Sequence, residues 1–167
     1  MPFPPTVTDK LIAIYEDLLW LVGRKHVTPA GARVWYTAVW AVSMRTKVRV
    51  FSGRVSRAAL QDIKGNLCLE HYNRLSAALT SLLKRHITEQ INDPADFVLL
   101  IEECEKVNIT TSAENRVVQA RSGDYNAAGI QLVEWRDLSP DQQSILWCKR
   151  LRGKVSNAHE YEPRTEA

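Results

Sequence analysis

The stretch from Gly65 to His86, GNLCLEHYNRLSAALTSLLKRH, changes its period partway along. Leu67-Cys68-Leu69 is a short apolar run that suits a buried strand or a lead-in turn. From Tyr72 onward the apolar positions are Tyr72, Leu75, Leu79, Leu82 and Leu83, which keep the spacing of a helix. Arg74, Ser81, Lys84 and Arg85 fall mostly outside that stripe. Between the two patterns stands Glu70-His71, the pair with the most chemical character in the chain. A strand-like segment that passes straight into a long amphipathic helix points to an α+β fold.

The rest of the chain adds mostly helices. Residues 1–7, MPFPPTV, are an extended lead, and Thr8 is the expected cap of a helix running to about Val22. Thr28-Pro29 starts a second helix to about Met44. Its wide apolar arc, with Trp35, Tyr36, Val39, Trp40 and Val42, predicts a central, buried element. KVRVF over 47–51 alternates as a strand does, and Ser56 caps a short helix closed by Gly65. Asp93-Pro94 opens another helix. Val107 to Thr110 reads as a strand, and Thr111 with Glu114 forms a capping box. Residues 122–124 are a turn, 130–135 a strand, and Ser139-Pro140-Asp141-Gln142 starts the last helix, ended by Gly153. The expectation is one compact, predominantly α-helical α+β domain over 8–155. It carries a small sheet from about 47–51, 67–69, 107–110 and 130–135, and a flexible tail over 156–167.

At 167 residues the chain can bury a real core, and its 45% apolar content is ordinary for a globular protein. The apolar runs are too short or too interrupted to span a bilayer, and the N-terminus lacks the basic region and apolar core of a secretory leader. Cys68, Cys104 and Cys148 are odd in number, widely spaced and without a CxxC pair, so they read as buried thiols in a reducing, cytoplasmic setting. No HExxH, P-loop, GxSxG or GxGxxG pattern is present.

Two basic clusters stand out on a net charge of +3. Arg45, Lys47, Arg49, Arg54 and Arg57 lie within thirteen residues with no acid among them, and Lys149, Arg150, Arg152 and Lys154 lie within six. A strand bearing Lys47 and Arg49 on one face would hold two cations roughly 7 Å apart, close to the spacing of phosphates along one strand. Both clusters therefore suit DNA or RNA. The alternative is a solvated face, with residues 149–154 complementing a helix C-terminus. The tryptophans Trp20, Trp35, Trp40, Trp135 and Trp147 fit core packing better than a base-stacking platform. His71 at a strand end could act as a general base beside Glu70, against the alternative of a helix-start or buried hydrogen-bonding residue.

The order strand-Glu70-His71, then Val107-Asn108-Ile109-Thr110, then a helix carrying Glu114, Asn115 and Arg116, resembles an expanded HNH or ββα-metal nuclease motif of phage and bacterial proteins. The resemblance covers residues 67–121. It implies His71 as the base, with Glu70, and Asn115 as the helix ligand, with Glu114, to a divalent metal such as Mg²⁺. In this chain the usual hairpin loop is replaced by some thirty-five residues, and no second His accompanies Asn115. The expected function is a nucleic-acid-associated protein of phage or mobile-element type, cutting as an HNH-like endonuclease. The alternatives are a DNA-binding module without cleavage, or a non-catalytic interaction protein such as a phage-encoded inhibitor or regulatory subunit, with a protein partner. No membrane association is expected.

Overall fold

Proline and small polar residues set the helix starts. In the computed structural model, which describes residues 3–121 and 123–163, α1 is Pro5–Val22, α2 is Pro29–Trp35 and α3 is Ala41–Val48. A π-helical turn, Tyr36–Trp40, joins α2 to α3. They are followed by β1 (Val50–Ser56), α4 (Arg57–Gln61), β2 (Leu67–His71), α5 (Leu75–Thr88) and α6 (Pro94–Cys104). The chain continues through β3 (Lys106–Thr111), α7 (Ser112–Ala120), β4 (Leu132–Glu134) and α8 (Pro140–Leu146). The fold is α+β and mostly helical, with a small mixed sheet. Among the described residues no helix is long and apolar enough to cross a membrane.

The chain gathers into two units, residues 3–48 with 74–105, and residues 49–73 with 106–163, Ser122 aside. Each is built from two separated segments, so no linker in the sequence marks the division.

The first unit is helical. Leu11, Tyr15, Leu18, Ala32, Tyr36, Leu79, Leu83, Phe97 and Ile101 are fully buried. Tyr15 stacks on Phe97 at 5.7 Å, and Tyr36 meets the same ring edge-on at 5.8 Å. The helix expected to lie at the centre, Thr28 to Met44, does not. Trp35 is 53% exposed and Val42 59%, with Val34 and Val39 also in solvent. Ala32, Tyr36 and Met44 supply its buried side. An apolar arc wider than one contact face has to leave part of itself outside. The expected extended lead is also shorter than its sequence suggests. Phe3 and Val7 are buried, and the helix begins at Pro5, not after Thr8. Met1 and Pro2 lie outside the described residues.

The second unit is built on the sheet, in the order β2-β3-β1-β4. β1 runs parallel to β3, while β2 and β4 are antiparallel to their neighbours. KVRVF is not a strand throughout. Lys47 lies in the last turn of α3, which ends at Val48, and β1 begins at Val50, so Lys47 and Arg49 do not share a strand face. Between Phe51↔Val107 and Val55↔Ile109 the register slips by a bulge on β1. Gly53 absorbs it at φ 83°, where a side chain is strained, and a Cβ there would lie 3.3 Å from the Tyr161 hydroxyl.

One sheet face carries Phe51, Val55, Leu67, Val107 and Ile109. It packs on Ala59, Trp135, Leu138, Leu146, Leu151 and Val155 to make the core of this unit. The segment expected as a loose tail after 155 is part of it. The Asn157 amide pairs with both backbone groups of Phe51, at 2.8 and 3.0 Å, and Tyr161 packs against Phe51 at 4.7 Å. Residues 164–167 of the expected tail, and Ser122 of the expected turn, lie outside the described residues.

Candidate functional site

Strand alternation places the polar residues of the sheet together on its other face. On β3 these are Asn108 and Thr110. Their partners on β2 are Glu70 and Cys68. Ser52 and Ser56 of β1 join them: Ser52 Oγ donates to Asn108 Oδ1, and Ser56 Oγ donates to Glu114 Oε2 at 2.6 Å. Cys68 Sγ lies 3.4 Å from Thr110 Oγ1. Such a face is ordinarily left to solvent, yet Ser56, Asn108 and Thr110 are all within 1% of complete burial. α7 and the segment after it cover them. Gly123, at the far end of α7, comes back beside the Tyr72 carbonyl.

Tyr125 closes the arrangement. It is buried, its ring stacks on Tyr72 at 5.9 Å and 28°, and its hydroxyl faces the polar cluster. Burial pushes its pKa up to about 12. The Asn108 amide acts in the opposite sense, and Glu70, Cys68 and Glu114 add to the rise. The amide lies near enough to the hydroxyl to hydrogen-bond its ionised form. Even so, among the described residues neither Asn108 Nδ2 nor Tyr125 Oη has a partner at hydrogen-bond geometry. Side by side, the two need only a small adjustment to pair with each other, which spares the cost of about 1–3 kcal/mol that each buried group would carry alone. Beside them opens a cleft of about 370 Å³, lined by Arg54, Tyr72, Gly123, Asp124, Tyr125, Asn126, Ile130 and Leu132.

The residues singled out in the sequence fall in several places. Glu70 lies on the polar face opposite Asn108. His71 pairs with Val107, whose side chain is in the apolar core, so the pleat sends His71 and Glu70 to opposite faces. Glu114 is on the Glu70 side, but one of its oxygens already accepts from Ser56 Oγ, Thr111 N and Thr111 Oγ1. It completes the capping box read from the sequence. Asn115 accepts from Gln119 on α7 at 2.8 Å. α7 lies over the polar face, so the sheet separates His71 from Glu114 and Asn115. Among the described residues no three His, Cys, Asp or Glu side chains gather as a group that could hold a metal ion. His71 therefore does not share a site with the other implied Mg²⁺ ligands, which lie on the opposite face of the sheet.

Of the basic residues, Arg45 and Lys47 are exposed on α3 in the first unit. Arg54 pairs with Glu134 at 3.1 Å, and Arg57 Nε donates to Gln131 at 3.0 Å. The second cluster follows α8 on a π-helical turn, Trp147–Leu151. There Lys154 Nζ donates to the Lys149 carbonyl at 2.6 Å, and Arg152 sits over Trp147 at 5.4 Å. Ser156 then donates from N and Oγ to the Arg49 carbonyl, at 2.8 and 3.0 Å. That junction ties the end of the second cluster to the Arg49 end of the first.

Asn108, Tyr72 and Tyr125 carry no motif in the sequence. The alternation Val107-Asn108-Ile109-Thr110 was the available signal for the polar face, but nothing local says that the face is covered. In the first unit, His86 is buried between Tyr15, at 2.7 Å from Nδ1, and Asp96, at 3.2 Å from Nε2. Its place near a helix end gave no hint of these partners. Comparison of the chain with known families, curated proteins and solved structures gives no match.

Proposed function

We propose that the protein binds nucleic acid without cutting it, through a basic surface of the second unit made by the exposed Lys149, Arg152 and Lys154, with the half-buried Arg49 and Arg150 beside them. The observation that carries this reading is the Ser156–Arg49 junction, which joins basic residues about a hundred positions apart in sequence. Lysine and arginine side chains that neutralise phosphates release counterions, so affinity should fall steeply with salt. A reducing, cytoplasmic setting suits the three free thiols, of which only Cys104 is buried as expected, while Cys68 is half-buried and Cys148 exposed.

The test is fluorescence anisotropy with labelled duplex and single-stranded DNA and RNA between 50 and 200 mM salt. The expected result is salt-dependent binding that Lys149→Glu and Arg152→Glu weaken alike for all sequences. Absence of binding at low salt would end the reading. The same mixtures with Mg²⁺ should leave the nucleic acid intact. Mg²⁺-dependent cleavage abolished by His71→Ala would replace this reading with the nuclease one.

A protein partner is the second reading, favoured by the exposed Trp35, Val39 and Val42 on the helix from Pro29 to Val48. Val39→Lys should then leave nucleic-acid affinity unchanged. A drop would assign this face to the nucleic acid instead.

A further inference from the structure

We infer that the cleft beside Tyr72 takes the base of an unpaired nucleotide, stacked on the Tyr72 ring, with Arg54 at its rim donating to the phosphate. This rests on the nucleic-acid reading and names what one site of the second unit receives. Tyr72 is 49% exposed, although it is an aromatic residue at the end of a strand. Its ring is held by the offset stack with buried Tyr125, so the platform is preorganised. Ile130 and Leu132 give the cleft an apolar wall, and Asn126 adds polar capacity.

Its volume, about 370 Å³, lies at the small end of the range for ligand sites and suits a single planar ring system with its sugar. A base inside a duplex cannot present its face, whereas an unpaired base can. Tyr125 lines the cleft beside Tyr72, while its hydroxyl and the neighbouring Asn108 amide nitrogen are sealed from solvent beneath it. Arg54 spends Nε on Glu134, and its terminal guanidinium nitrogens are the donors suited to a phosphate.

The experiment has two arms on the full chain. In the first, a labelled single-stranded oligonucleotide and its duplex are titrated against the native protein, Tyr72→Ala, Tyr72→Phe and Arg152→Glu. Tyr72→Ala should weaken single-strand binding by about 5- to 150-fold, the worth of one stacked base. It should leave duplex binding and the salt slope alone. Tyr72→Phe should keep the affinity, which shows that the ring is what matters. In the second arm, uridine monophosphate is added while the backbone amides of Gly123, Asp124 and Asn126 are followed by NMR. Shifts at those amides that Tyr72→Ala removes support the cleft even if no oligonucleotide binds, an outcome that sinks only the basic-surface reading. Oligonucleotide binding that Arg152→Glu weakens, with no effect of Tyr72→Ala and no amide shifts, overturns the cleft and leaves the basic surface standing. Equal losses by Tyr72→Ala on single strand and duplex, with no amide shifts, also overturn it.

Discussion

Two faces of this protein depart from the usual partition in opposite directions. The helix from Pro29 to Val48 leaves Val34, Trp35, Val39 and Val42 in water. The strand face of Ser56, Asn108 and Thr110 is polar and buried. The first is an excess of apolar surface over what one packing contact can cover. The second is a polar layer that can be buried because most of its groups find one another: Ser52 with Asn108 Oδ1, Ser56 with Glu114, Cys68 with Thr110. Hydrophobicity counted residue by residue misplaces both. What decides burial is whether a partner element arrives and whether the polar groups beneath it are satisfied.

The sharpest way to break the comparison uses two neighbours on one helix. Tyr36 is fully buried against Phe97 while Trp35 is half exposed. Tyr36→Ala should cost about 3–5 kcal/mol in urea unfolding, as for other large aromatic truncations in cores. Trp35→Ala should cost under about 1 kcal/mol. Comparable losses would mean that Trp35 is covered in solution.

On the polar face the corresponding test is Ser56→Ala. It removes the cap of α4, which accepts from Ala59 N at 3.1 Å, and one donor to Glu114. A loss of about 1–2 kcal/mol is expected. A change near zero would mean that water replaces Ser56 freely and that the face is not sealed.

Tyr125 offers a smaller effect, seen only at alkaline pH. Its phenol ionises near pH 10 when unfolded and at about 12 when folded. Folding therefore favours the protonated form. The contribution is fully present below pH 10 and is lost as pH rises from 10 through about 12. Tyr125→Phe should lose less stability than the native chain between pH 9 and 11, measured by urea midpoints at each pH. Burial also raises Tyr15, Tyr36 and Tyr161, so the difference removes only part of the alkaline slope. Equal slopes in the two proteins would place the Tyr125 hydroxyl in water.

Local chemistry was legible in the sequence. The capping boxes at Thr111–Glu114 and Ser139–Gln142, the caps at Thr28, Ser56 and Asp93, and the strand at Leu67 all stand where their residues put them. Each depends on contacts within a few residues. Period misled where two patterns overlap. KVRVF alternates, but the helix from Ala41 continues through Lys47, because helical hydrogen bonds already in place extend more cheaply than a new strand begins. The candidate site was the least legible. Glu70 and His71 are adjacent in sequence and so invite a joint role, but adjacency on a strand means opposite faces. Asn108 and Tyr125 come together only through β3, α7 and the turn after it.

The smallest predicted effect concerns the exposed stripe. Val42 is 59% exposed, so its side chain contributes little burial to lose. Lysine is the better helix former by a few tenths of a kcal/mol. Val42→Lys should therefore leave the urea midpoint unchanged or raise it slightly. If the stripe instead meets a second copy of the chain, the isologous contact would place the new charge near its own image and against apolar surface. Stability would then fall by more than about 1 kcal/mol and become dependent on protein concentration, and sedimentation would show a dimer for the native chain and a monomer for the variant. A neutral result would leave the apolar stripe as solvent-facing surface in the free protein, and the polar strand face as the one that burial holds.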